Sequence, residues 1–95
     1  MIRTEQPHSS RGLLSFRAGN VTGTRELPVE FGRELSVRDV TDVLVDRMAL
    51  PDDVSWVLRD DRSSAFLDES RPIGDQLEPG AHVTVTPMTH LGGRR

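Results

Sequence analysis

The chain contains no cysteine. Disulfides, thiolate catalysis and zinc–cysteine sites are therefore excluded, and the absence fits a cytoplasmic protein, the location expected here. No apolar run approaches the length of a membrane span. The first ten residues are polar and lack the apolar stretch of a secretory leader, so none is expected. Charge of one sign is also lacking. Twelve basic residues face fifteen acidic ones, a net charge of -3. That balance carries no signal for nucleic acid or for a polybasic membrane anchor, and neither is an expected partner. Lysine is wholly absent, so all twelve basic residues are arginine. Two readings of that absence stay open. One is a GC-rich genome. The other is protection of the chain against modification of its own amines.

Ninety-five residues suffice for one domain with one modest core. An enzyme cleft is hard to fit beside such a core, so a binding or carrier module is expected, not an enzyme, and a monomer. Residues 1–11 hold Pro7, Ser9 and Ser10 with little apolar content and read as a disordered arm. Residues 12–88 carry the periodic segments of a folded domain, and 89–95 read as a flexible tail. Leu14, Phe16 and Ala18 alternate as a half-buried strand requires. Leu27, Val29 and Phe31 form a second period-2 set. The intervening Gly19-Asn20-Val21-Thr22-Gly23 turn joins the two as a hairpin. Pro28 has no amide hydrogen and belongs on an edge or at a non-bonding site.

Ser36 can cap a helix whose apolar face would be Val37, Val40, Val43, Leu44 and Met48. Thr41, Asp42 and Asp46 fall on its wet side, and Pro51 is expected to stop it. A third strand follows over 54–59, with Val54, Trp56 and Leu58 on one face and Val57 on the other. Ala65-Phe66-Leu67 reads as a very short strand. Residues 68–77 read as irregular, anchored by Ile73 and Leu77. Glu78-Pro79-Gly80 signals a turn before a last strand, in which Val83 and Val85 alternate with His82, Thr84 and Thr86. A right-handed crossover through the single helix would bring strand three beside strand one. The class expected is α+β, a mixed curved sheet packed on one helix.

Other chemistry finds little support. His8, His82 and His90 have no partners at metal-ligand spacing, so no metal site is expected. The acidic pairs Asp52-Asp53, Asp60-Asp61 and Asp68-Glu69 lie in turns and read as solvated turn residues, not as catalytic carboxylates. Trp56 reads as core.

This order of elements resembles the ubiquitin-like β-grasp fold. Local strings carry the resemblance: the Val21-Thr22-Gly23 turn of the first hairpin, the Leu50-Pro51-Asp52-Asp53 helix exit, and the Leu91-Gly92-Gly93 end. Trp56-Val57-Leu58, and the Glu78-Pro79-Gly80 turn before a Val-x-Val strand, look more like bacterial YukD-type domains. The resemblance implies a protein modifier. An E1-like enzyme would adenylate the Gly93 carboxylate with ATP and take the acyl group onto a cysteine, and an E2-like enzyme would pass it to target proteins. Gly93 would be the acyl donor with Gly92 beside it, and His90 and Leu91 would lie in the enzyme's tail channel. The chain itself would need no cofactor. Arg94-Arg95 departs from the pattern, because Gly93 then carries an amide. A peptidase of JAB or cysteine type would first remove the dipeptide. The family's partner patch would fall on Val21, Val57, Thr84 and Thr86. Two other functions share the fold: a ThiS/MoaD-like sulfur carrier, and a YukD-like adaptor that is never conjugated.

Overall fold

The computed structural model describes residues 12–88. Alternating apolar residues make the first hairpin, β1 (Leu13–Asn20) and β2 (Glu26–Gly32), which pair antiparallel from Leu13↔Gly32 to Gly19↔Glu26. Leu14, Phe16 and Ala18 are fully or almost fully buried, with Val29 and Phe31 beside them. Phe16 stacks on Phe31 with ring centroids 5.9 Å apart. Helix α1 (Val37–Arg47) follows, then β3 (Trp56–Asp60), the two-residue β4 (Ala65–Phe66), a 3-10 turn (Ile73–Asp75) and β5 (His82–Pro87).

The sheet order is β2-β1-β5-β3-β4. The crossover expected from the sequence, which set strand three beside strand one, is corrected here. β5 occupies that place, parallel to β1 and antiparallel to β3. A physical reason lies in its burial: Val83, Thr84, Val85 and Thr86 are all buried, as a central strand demands, whereas β3 begins and ends half-buried. Pro28 sits on the edge strand opposite Arg17. The Arg17 amide donates to Ala81 O at 2.9 Å, so the backbone groups of Arg17 face β5. Those of Pro28 therefore face the open edge, and its missing N–H removes no rung from the sheet.

Ser36 caps α1 as its sequence position suggested, its Oγ accepting from the Asp39 amide at 3.1 Å. The amides of Val37 and Arg38 are met from the irregular segment, by Arg71 O and Glu69 O, each at 3.0 Å. That segment thus completes the helix start. The buried face differs from the expected one at two positions. Thr41 is buried and Val43 is 38% exposed. With 3.6 residues per turn, Thr41 stands about 40° round from Val37 and Val43 about 120°. The Thr41 hydroxyl donates to Val37 O at 2.7 Å, which satisfies it inside the core.

Pro51 does not itself end the helix. Ala49 takes φ 55, its amide donates to Asp46 O, and the Leu50 amide donates to Val45 O. This is a Schellman closure with alanine where glycine is usual. Gly74 meets the opposite constraint. A Cβ there would lie 2.6 Å from Arg33 Cβ, because the Gly74 amide bonds Arg33 O at 2.9 Å. At the start of the same segment the Asp68 carboxyl is held below its ordinary range, first by the Ser70 hydroxyl and then by the Ser70 amide.

Two substitutions test these backbone assignments. Ala49→Gly relieves the left-handed alanine and should raise unfolding stability by about 1 kcal/mol. Gly74→Ala should lower it by about 1–3 kcal/mol. Urea unfolding at unchanged m-value reads both, and a neutral Gly74→Ala would show that the Arg33 backbone yields freely.

Candidate functional site

The expected site has two parts, a tail and a patch. Of the tail, His90, Leu91, Gly92, Gly93, Arg94 and Arg95 lie outside the described residues, as does the N-terminal arm. The tail's root is well defined. Pro87 pairs with Trp56 at the end of β5, and the Met88 amide donates to Ser55 O at 2.6 Å. The chain therefore leaves the sheet from its central strand. It leaves at the end where β1 turns into β2, since Asn20 faces Val85 in the parallel ladder. The C-terminal end of α1 is tied to the same turn by Arg25 Nη1, 3.4 Å from Met48 O.

The patch residues do come together in part. Val57 faces Thr86 across the β3–β5 ladder, and Thr84 lies two residues back on the same strand face. They offer little surface, however. Val57, Thr84 and Thr86 are 5%, 9% and 5% exposed. The Thr84 hydroxyl donates to Asp61 Oδ1 at 2.6 Å, and the Thr86 hydroxyl to Thr84 O at 3.3 Å. Val21, in the hairpin turn, is the one patch residue with an open side chain, at 52%.

Two acidic pairs have structural employment. Asp60 holds its turn, accepting from the Arg62 amide and the Ser63 hydroxyl, while Asp61 takes Thr84 and pairs with Arg59. Asp68 accepts from Ser70. Among the described residues no group of three or more metal-ligating side chains occurs, and no helix is long and apolar enough to cross a membrane.

Sequence reasoning missed a groove of about 690 Å³ beside the tail's root. Its apolar lining comes from Val45, Leu50, Val54, Trp56 and Met88, and its rim from Asp42, Asp46 and Asp52. The Trp56 indole N–H is already spent on Pro51 O at 2.7 Å, so the ring offers the groove an apolar surface. No single segment announced it, because the lining comes from four separate elements of the chain.

No protein-family model and no curated protein sequence matches this chain. Solved structures do match its shape. A designed protein based on ubiquitin superposes with a TM-score of 0.67 over 88% of this chain and 96% of its own, at 14% identity. The fold is the ubiquitin-like β-grasp. A structure described as molecular mimicry of SUMO that promotes DNA repair gives the same TM-score at 14% identity, covering 79% of this chain and 91% of its own. A chain from a complex of pParkin, pUb and UbcH7 also matches at TM-score 0.67 and 17% identity. There the match covers 80% of this chain and only 23% of the larger one. Identities this low bear on the β-grasp architecture alone.

The patch geometry predicts a separation of effects. Val57→Ala should lower unfolding stability by about 1–2 kcal/mol, the transfer value of the two buried carbons. Val21→Ala should stay within about 0.5 kcal/mol. Thermal unfolding of the two variants side by side checks it, and equal effects would mean that Val57 is not packed.

Proposed function

We propose that the chain is a ubiquitin-like protein modifier of bacterial type, joined to target proteins through Gly93. The observation that supports this most is the placement of the tail's root at Met88. A β-grasp body ends in a central strand, and the diglycine follows Met88 by four and five residues. Fully extended, that stem reaches about 17 Å from the body. Residues without Cβ at its end let the backbone enter a narrow channel.

The chemistry starts with hydrolysis of the Gly93–Arg94 amide, which releases the chain from Arg94 onward and leaves a Gly93 carboxylate. An E1-like enzyme supplies ATP. The carboxylate attacks the α-phosphate, pyrophosphate leaves, and an enzyme thiolate then displaces AMP to form a thioester. An E2-like enzyme carries the acyl group to a target amine or hydroxyl, whose attack frees the thiolate. The chain contributes its glycine carboxyl and its surface, with no cofactor of its own. With no lysine in the sequence, self-linkage within it would use Ser or Thr hydroxyls or an α-amine. The reading places this traffic in the cytoplasm, where ATP and reduced thiols are available.

The full chain and a chain ending at Gly93 should be incubated with ATP and an E1-like enzyme of the same organism. A thiol-sensitive thioester is expected for the shortened chain only. A thiocarboxylate at Gly93 in place of protein adducts would make the chain a sulfur carrier. No activation of either form would favour an adaptor that is never conjugated. The adducts carry their own signature. Cyanogen bromide cleaves after Met88, so each modified target should retain Thr89-His90-Leu91-Gly92-Gly93 as a branch. Trypsin should leave a long one beginning at Ser63, because Pro72 protects the Arg71 bond.

A further inference from the structure

The groove beside the tail's root combines an apolar floor, part of which also packs against the core, with an acidic rim. Its floor is apolar, and Val45, Leu50, Val54 and Met88 are each only half-buried there. Its walls carry four carboxylates and one guanidinium. The guanidinium, Arg38, is already matched by Glu69 at 3.3 Å. Asp42, Asp46 and Asp52 form no ion pair among the described residues.

The positions of Asp46 and Asp52 are electrostatically unfavourable for the fold itself. Asp46 lies in the last turn of α1, and Asp52 follows the Ala49-Leu50 closure. The helix C-terminus already carries partial negative charge, so carboxylates there repel it. Only Arg47 in that turn offsets them. A negative potential concentrated over a hydrophobic floor is complementary to a cation next to an apolar group. The site also lies where a tail-handling enzyme must pass. Met88 both lines the groove and begins the short stem to Gly93.

We propose that this groove docks a protein segment bearing arginine or lysine beside a bulky apolar side chain, presented by the enzyme that takes up the tail. The apolar side chain rests on Trp56 and Val54, and the cation meets Asp42, Asp46 and Asp52. The surface stands independently of the modifier reading, whereas its assignment to the tail-handling enzyme rests on that reading.

Two arms test it with the full chain and an Asp42→Asn/Asp46→Asn/Asp52→Asn variant, all three positions being exposed. In the first, an acetylated Arg-Leu-Arg-Leu peptide is titrated while Trp56 fluorescence and backbone amide shifts are followed. Shifts confined to the groove are expected, with affinity at least tenfold weaker in the variant and when glycine replaces both leucines. Affinity unchanged by the variant, or equal shifts around the Asp60-Asp61 turn, would overturn the surface. In the second arm both proteins, ended at Gly93, meet the E1-like enzyme. A raised KM with unchanged kcat supports the assignment, and an unchanged KM refutes it. Peptide binding as expected in a chain that the enzyme never activates would uphold the surface and remove the modifier reading.

Discussion

The parallel ladder between β1 and β5 is the constraint on which the rest of the structure depends. It joins residues more than sixty positions apart, from Arg17↔His82 to Asn20↔Val85. Until β5 arrives, β1 is paired on one side only and β3 has no partner but the two-residue β4. The loop that must close is long, and its entropy is met only when Val83 and Val85 reach the core against α1. The last strand is therefore the keystone of the sheet.

That arrangement explains how much could be read from the sequence. Leu14, Phe16, Ala18, Val29, Phe31, Val83 and Val85 repeat every second residue, and a period of two has one packing solution per strand. Ser36 was legible as a cap because its oxygen acts within one turn. Alternation does not name a strand's neighbour, which is why β5 and not β3 beside β1 escaped the sequence. Thr41 and Val43 exchanged places for a related reason. Hydropathy favoured valine, whereas helical angle and an i−4 carbonyl acceptor favoured threonine. Ala49 gave no notice of its left-handed conformation, because glycine is the residue that announces that position.

The proposed site was legible in the tail and illegible in the body. A diglycine is a local string, but a groove is assembled from α1, the helix exit, the start of β3 and the end of β5. Each contributor looked ordinary in its own segment: Trp56 as core, Asp42 and Asp46 as the wet side of a helix, Asp52 as a turn. The fold brings them to the end of the sheet where the chain departs, together with the Val21 turn. The other patch positions, Val57, Thr84 and Thr86, are occupied in holding the sheet together, so little of the patch that the fold suggested is open.

Pro28 has a consequence beyond its own strand. Its ring stands where the margin of the sheet would otherwise offer a donor to any extended peptide passing by, and Glu26 and Glu30 flank it with carboxylates. The opposite margin is only two residues long. Neither border is a template for growth by strand addition. Copies of the chain can thus be held at high concentration without stitching into fibrils through their sheet edges.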